Sequence, residues 1–149
     1  MTSPVRRLFD FLVHGGTSQL QPFERLIVER AAATLPEPDR ASLLAQLERI
    51  GRVQRFLKGR QVNVFISHQG APSLANTGEA TVLTRLQLRA AESELTVAVV
   101  THRGYLSSLE FNRAPGSLAR LPFVAASLPS GSEHVSPASV ADRLEHGRP

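Results

Sequence analysis

The sequence predicts an α+β domain: three N-terminal amphipathic helices packed on a four-stranded antiparallel β-meander, then an irregular C-terminal segment with a short last helix. Three observations carry the prediction. Apolar residues recur at helical spacing up to Gly59, the period switches to two after it, and turn residues then punctuate the chain at short intervals.

The first helix is expected over residues 4–14. Ser3-Pro4 offers a capping hydroxyl and a proline in the first turn, and Val5, Leu8, Phe9, Leu12 and Val13 form one stripe before Gly15-Gly16. A second helix starts at Pro22 and presents Phe23, Leu26, Ile27, Ala31 and Leu35, ending at Pro36 and Pro38. The third, over roughly 38–58, has the strongest periodicity. Leu43, Leu44, Leu47, Ile50, Val53 and Leu57 fall in one half of its wheel, and Arg49, Arg52 and Arg55 lie near the opposite pole. Gly51 weakens this helix by about 1 kcal/mol relative to Ala.

Beyond Gly59, Val62, Val64 and Ile66 alternate with Asn63, Phe65 and Ser67, which reads as a strand. Residues 68–79 are loop material, rich in Gly, Pro, Asn and Ser. Thr81 to Arg89 alternate as a second strand. Leu95 to Val100 is apolar at five of six positions, as expected of a central strand covered on both faces. Arg103-Gly104 makes a tight turn into a fourth strand, Tyr105 to Asn112. Residues 113–135 read as an irregular segment docked on the sheet, and Ser136-Pro137 opens a last short helix with Val140 and Leu144. A chain of 149 residues fits one core, so residues 1–135 form one domain and 136–149 a short helix or loosely held tail.

Composition narrows the chemistry. With no Cys, disulfides, thiolate metal sites and thiol nucleophiles are excluded, and a reducing compartment is favoured. The N-terminal apolar stretch is interrupted by Asp10 and stopped by His14-Gly15-Gly16, so it does not read as an export signal. No segment approaches the roughly 20 apolar residues of a bilayer span. A cytoplasmic protein that does not enter membranes is expected.

The net charge of +4 is not spread evenly. Residues 1–48 carry five Arg against six acids, and residues 61–149 carry seven Arg against seven acids. The whole excess sits in residues 49–60, as Arg49, Arg52, Arg55, Lys58 and Arg60 with no acid. On the expected third helix these residues make a basic face, the first candidate binding site.

No catalytic motif is present. His14-Gly15-Gly16-Thr17 follows a helix and so lacks the strand-loop-helix setting of a phosphate loop. No two of the five His lie within five residues, so no metal site or cofactor is expected. Ser67-His68 stands at a strand end without a visible acidic partner, which does not make a nucleophile. The second candidate site is on the sheet. If the turns at 90–93 and 103–104 set the register, Arg85 and Glu110 flank Val97 on one face, with Thr101 and Ser108 beside them. That would make a polar wall two strand spacings across.

These features favour a small intracellular binding protein over an enzyme: an adaptor, regulator or neutralising inhibitor whose basic helix face engages another, acidic protein. A nucleic-acid-binding module using the same Arg-rich face is the alternative, and an enzyme built on the polar sheet face ranks third. Nucleic acid ranks below protein because no aromatic residue is interleaved with the Arg residues of the helix for base stacking.

Overall fold

The computed structural model describes residues 16–120 and 122–128. Its elements are α1 (Pro22–Ala33), α2 (Asp39–Leu47), β1 (Ile50–Phe56), β2 (Gln61–Ile66), β3 (Thr81–Ala90), β4 (Ser93–His102), β5 (Tyr105–Phe111) and β6 (Val124–Ser127), with short 3-10 turns at Leu57–Gly59 and Gly116–Arg120. The chain is α+β, as expected, but the detailed architecture is not the predicted one. Among the described residues there are two α-helices, and the sheet has six antiparallel strands in the order β1-β2-β5-β4-β3-β6. The helix expected over residues 4–14 and the one after Ser136 lie outside the described residues.

α1 begins as the sequence dictates, with Pro22 in its first turn and the Glu24 carboxylate accepting from the Gln21 amide at 2.8 Å. The larger correction concerns residues 38–58. The helix stops at Leu47, and residues 50–56 form a strand that pairs with β2 from Phe56↔Gln61 to Ile50↔Ile66. The apolar spacing of this stretch satisfies both periods. Val53 is fully buried and Arg55 also turns inward, while Arg52, Gln54 and Phe56 alternate outward. Gly51 and β-branched Val53 are poor helix residues, and β2 needs a partner, so ladder pairing outweighs a marginal helical turn.

The sheet is also not a sequential meander. β3, β4 and β5 are consecutive hairpins, but β2 joins the far side of β5, pairing Val62 with Leu109. The connection from β2 to β3 therefore runs past the β4–β5 turn. There Leu74 N–H donates to the Gly104 carbonyl and Arg103 N–H to the Gly78 carbonyl, each at 2.8 Å. Gly104 has φ +85°, and a Cβ there would stand 3.0 Å from the Leu74 carbonyl oxygen, so only glycine fits. β6, in the stretch expected to be irregular, pairs with β3 through Leu88↔Ala125.

Both helices cover one face of the sheet. Ile27, Val28 and Ala31 of α1 and Leu43 and Leu47 of α2 pack on Leu86, Leu88, Leu95, Val97, Val99 and Leu109. Phe23 stacks on Phe111 at 5.8 Å and meets Phe123 edge-on at 5.5 Å. Leu47 and Val97 are buried, as the sequence indicated, whereas Ile50 is half-buried. Gln46 is the polar centre of this layer. Fully buried, it donates to the Pro72 and Gly104 carbonyls and accepts from Leu106 N–H, at 2.8–2.9 Å. It thus ties α2 to the β2–β3 connection and the β4–β5 turn.

Candidate functional site

The five cations of residues 49–60 do not share a helix face. Arg49, just before β1, donates to the Gln69 carbonyl at 2.8 Å. Arg55 points under the sheet and grips Glu24 of α1 with Nε and Nη2, at 2.7 and 2.6 Å, while Nη1 reaches Thr17 Oγ1 at 2.9 Å. Arg60 lies at the start of β2 and donates through Nε to the Phe111 carbonyl at 3.2 Å. Lys58 sits in the β1–β2 turn in left-handed backbone, with φ 57° and ψ 36°. Arg52 alone of the five projects from a strand onto the sheet face away from the helices.

That face is built by strand alternation. β1 contributes Arg52, Gln54 and Phe56, and β2 contributes Gln61, Asn63 and Phe65. β5 adds Ser108 and Glu110, β4 adds Thr96 and Ala98, and β3 adds Arg85 and Gln87. Arg52 stands directly opposite Phe65, and its guanidinium carbon lies 4.2 Å from the centre of that ring. Its Nε is buried and has no hydrogen-bond partner among the described residues. Phe65 and Phe56 remain 41% and 46% exposed, high for rings of this size on a sheet.

The polar wall expected on this sheet exists in part. Arg85 and Glu110 do share a face, but both stand opposite Ala98 rather than Val97: the β3–β4 turn uses two residues and pairs Ala90 with Ser93, which shifts Arg85, and a bulge in the β4–β5 ladder shifts Glu110. Val97 sits one position over, between Leu86 and Phe111, on the core side. Ser108 belongs to the wall and donates its hydroxyl to Glu110 at 3.2 Å. Thr101 does not. A bulge leaves Ser107 unopposed and pairs Thr101 with Leu106, so Thr101 is buried on the face of Val99. No ion pair joins Arg85 to Glu110 among the described residues; two strand spacings, about 9.6 Å, separate their backbones.

Among the described residues, Ser67 and His68 have no acidic partner that would make a nucleophilic set. The His68 ring stacks on Tyr105 at 4.1 Å, and Ser67 N–H extends the β1–β2 ladder to the Arg49 carbonyl at 3.0 Å. Among the described residues no cluster of His, Asp and Glu has metal-binding geometry, and no helix is long and apolar enough to cross a membrane.

The sequence candidates did not include Phe56 and Phe65, the two exposed phenylalanines among the described residues. A signal for one was present: Phe65 occupies the polar phase of the alternating run 61–66, where a large ring has no core to enter. Phe56 gave no such signal while its segment read as helix. No protein family, curated protein or solved structure matches the chain.

Proposed function

We propose that the protein is a binding module that holds single-stranded nucleic acid on the helix-free face of its sheet. The observation that carries the reading is the Arg52–Phe65 stack beside a second exposed ring, Phe56. The objection raised by the linear sequence was the want of aromatics among the arginines. Strand pairing supplies them, since β2 brings Phe65 onto Arg52 and the β1 alternation turns Phe56 to the same side.

Phe56 stands four steps along β1 from Arg52, or about 13 Å at 3.3 Å per residue, a span suited to two splayed bases. Aromatic faces accept any base, and the amide groups of Gln61 and Asn63 between them can bond to base edges. Charge supports the same ligand. Of the five cations in residues 49–60, Arg55 is neutralised by Glu24, which leaves four spread along the β1–β2 edge of the sheet to attract phosphates.

The test is fluorescence anisotropy with labelled mixed-sequence single-stranded DNA and RNA at two salt concentrations. Micromolar or tighter binding that weakens with salt, and that falls at least tenfold in a Phe56→Ala/Phe65→Ala variant, supports the reading. Exposed Phe and Arg also anchor protein interfaces. Absence of oligonucleotide binding at low salt, with retention of a host protein that the double variant fails to hold, would overturn nucleic acid in favour of a protein partner.

A further inference from the structure

A cleft of about 570 Å³ opens at the end of the sheet where the β1–β2 turn, the first turn of α1 and the 3-10 turn Gly116–Arg120 meet. Its apolar floor includes Pro22, Phe23 and Pro115. Three cations and one carboxylate line it: Arg55, Lys58 and Arg120 against Glu24. The Glu24–Arg55 pair closes on itself, so the charge left to face the cleft is that of Lys58 and Arg120. Neither side chain has a hydrogen bond or ion pair among the described residues.

Lys58 is placed there at a conformational cost. Leu57 and Lys58 both adopt positive φ, 53° and 57°, in a turn that ordinarily selects Asn and Gly. The turn is held from outside by Arg60, whose N–H donates to the Leu57 carbonyl at 3.2 Å and whose carbonyl accepts from Phe111 N–H at 2.8 Å. Non-glycine residues in left-handed backbone persist where surrounding structure imposes them, and such positions concentrate at ligand sites.

We propose that this cleft binds a phosphate group, with Lys58 acting as a point charge and Arg120 as a planar fork on its oxygens. A phosphate anion met by two cations beside the apolar Pro22, Phe23 and Pro115 is the ligand chemistry this lining suits. The positive end of the α1 dipole adds to the field without being its basis. The inference does not rest on the sheet-face reading. The phosphate can be that of a strand running off the sheet past Phe56, or that of a free phosphorylated molecule.

The test is a titration of the isotope-labelled full chain with inorganic phosphate, followed by amide chemical shifts. Saturable shifts are expected at Leu57–Gly59 and Gly116–Arg120, with affinity at least tenfold weaker in Lys58→Gln/Arg120→Gln. Because Lys58 lies on a strained turn, Arg120→Gln alone serves as the second variant. It should weaken phosphate several-fold while Tm stays at the wild-type value. Shifts that do not saturate, or that persist unchanged in both variants, overturn the proposal.

A short oligonucleotide then separates the two sources. If a strand phosphate fills the cleft, the double variant flattens the log–log salt slope by about 0.7, because the loss of one single-strand phosphate contact lowers it by about that much. If the ligand is a free phosphorylated molecule, that slope is unchanged while phosphate binding disappears, and the proposal stands. Failure of the sheet-face reading would look different: oligonucleotide binding would be indifferent to Phe56 and Phe65, with the phosphate titration unaffected.

Discussion

Glu24 of α1 and Arg55 of β1 meet edge to edge, Nε to Oε1 at 2.7 Å and Nη2 to Oε2 at 2.6 Å. The Glu24 side chain is 4% exposed and that of Arg55 20%, so each depends on the other for solvation. The pair also fixes the chain before α1, because Arg55 Nη1 donates to Thr17 Oγ1 and the Thr17 backbone bridges Val53 in both directions, at 2.9 and 2.7 Å. Removing one partner leaves the other as an uncompensated buried charge. Arg55→Ala or Glu24→Ala should therefore cost about 3–5 kcal/mol in urea denaturation. Replacing both with apolar residues should cost much less. Single variants destabilised by under about 1 kcal/mol would show that the pair is solvated and dispensable. A helical Arg face would have left stability indifferent to Arg55, and the strand makes it a structural residue instead.

Gln46 makes the second stability prediction. Substitution by Leu keeps volume but strands the Leu106 amide and removes a donor from two carbonyls, in a site with no solvent access. A destabilisation of at least about 2 kcal/mol is expected. Protection of the Leu106 amide in hydrogen exchange should fall in parallel. An unchanged denaturation midpoint would mean that another group takes over the role of Gln46.

Arg52 tests stacking apart from charge. Arg52→Lys keeps the cation but removes the planar group that lies over Phe65. Oligonucleotide affinity should fall several-fold while the salt slope stays the same, and stability should move by less than about 1 kcal/mol. Equal affinity in the lysine variant would reduce Arg52 to a plain phosphate ligand.

Phe65→Ala, on a half-exposed ring, should cost about 1–3 kcal/mol of oligonucleotide binding and far less of folding. Leu109→Ala, under the same sheet and fully buried, should do the opposite and cost about 2–5 kcal/mol of stability. A Phe65 variant that unfolds the protein would place that ring in a packed layer and remove it from the site.

The β4–β5 turn carries a small pH signature. Its Arg103 donates to Glu79 at 2.8 Å, and this hydrogen bond, then the charge of Arg103, holds the Glu79 carboxyl below its ordinary range. A depressed folded-state value means that the interaction stabilises the fold above the unfolded-state value and fades as pH falls through the folded one. Both groups are exposed, so the readout is the Glu79 carboxyl resonance. Its midpoint should rise in Arg103→Gln, and a midpoint that does not move would remove the interaction.

What the sequence determined by itself was local. The prolines at 22, 36 and 38, the alternation over 61–66 and 81–89, the apolar run 95–100 and the Arg103-Gly104 turn each act within a few residues. α1, β2, β3, β4 and β5 accordingly stand where those signals put them. What only the tertiary structure decided was long-range pairing. Residues 50–56 satisfy a helical and a strand period alike, and β2, available as a ladder partner, selects the strand. β6 has four residues and no signal of its own, and exists because β3 offers an open edge. The candidate site follows the same division. The basic cluster could be counted from the sequence, but a helix and a strand send those side chains in different directions. Pairing between β1 and β2 turned Arg55 inward to Glu24 and laid Arg52 on Phe65, a residue whose place beside it no local spacing encodes.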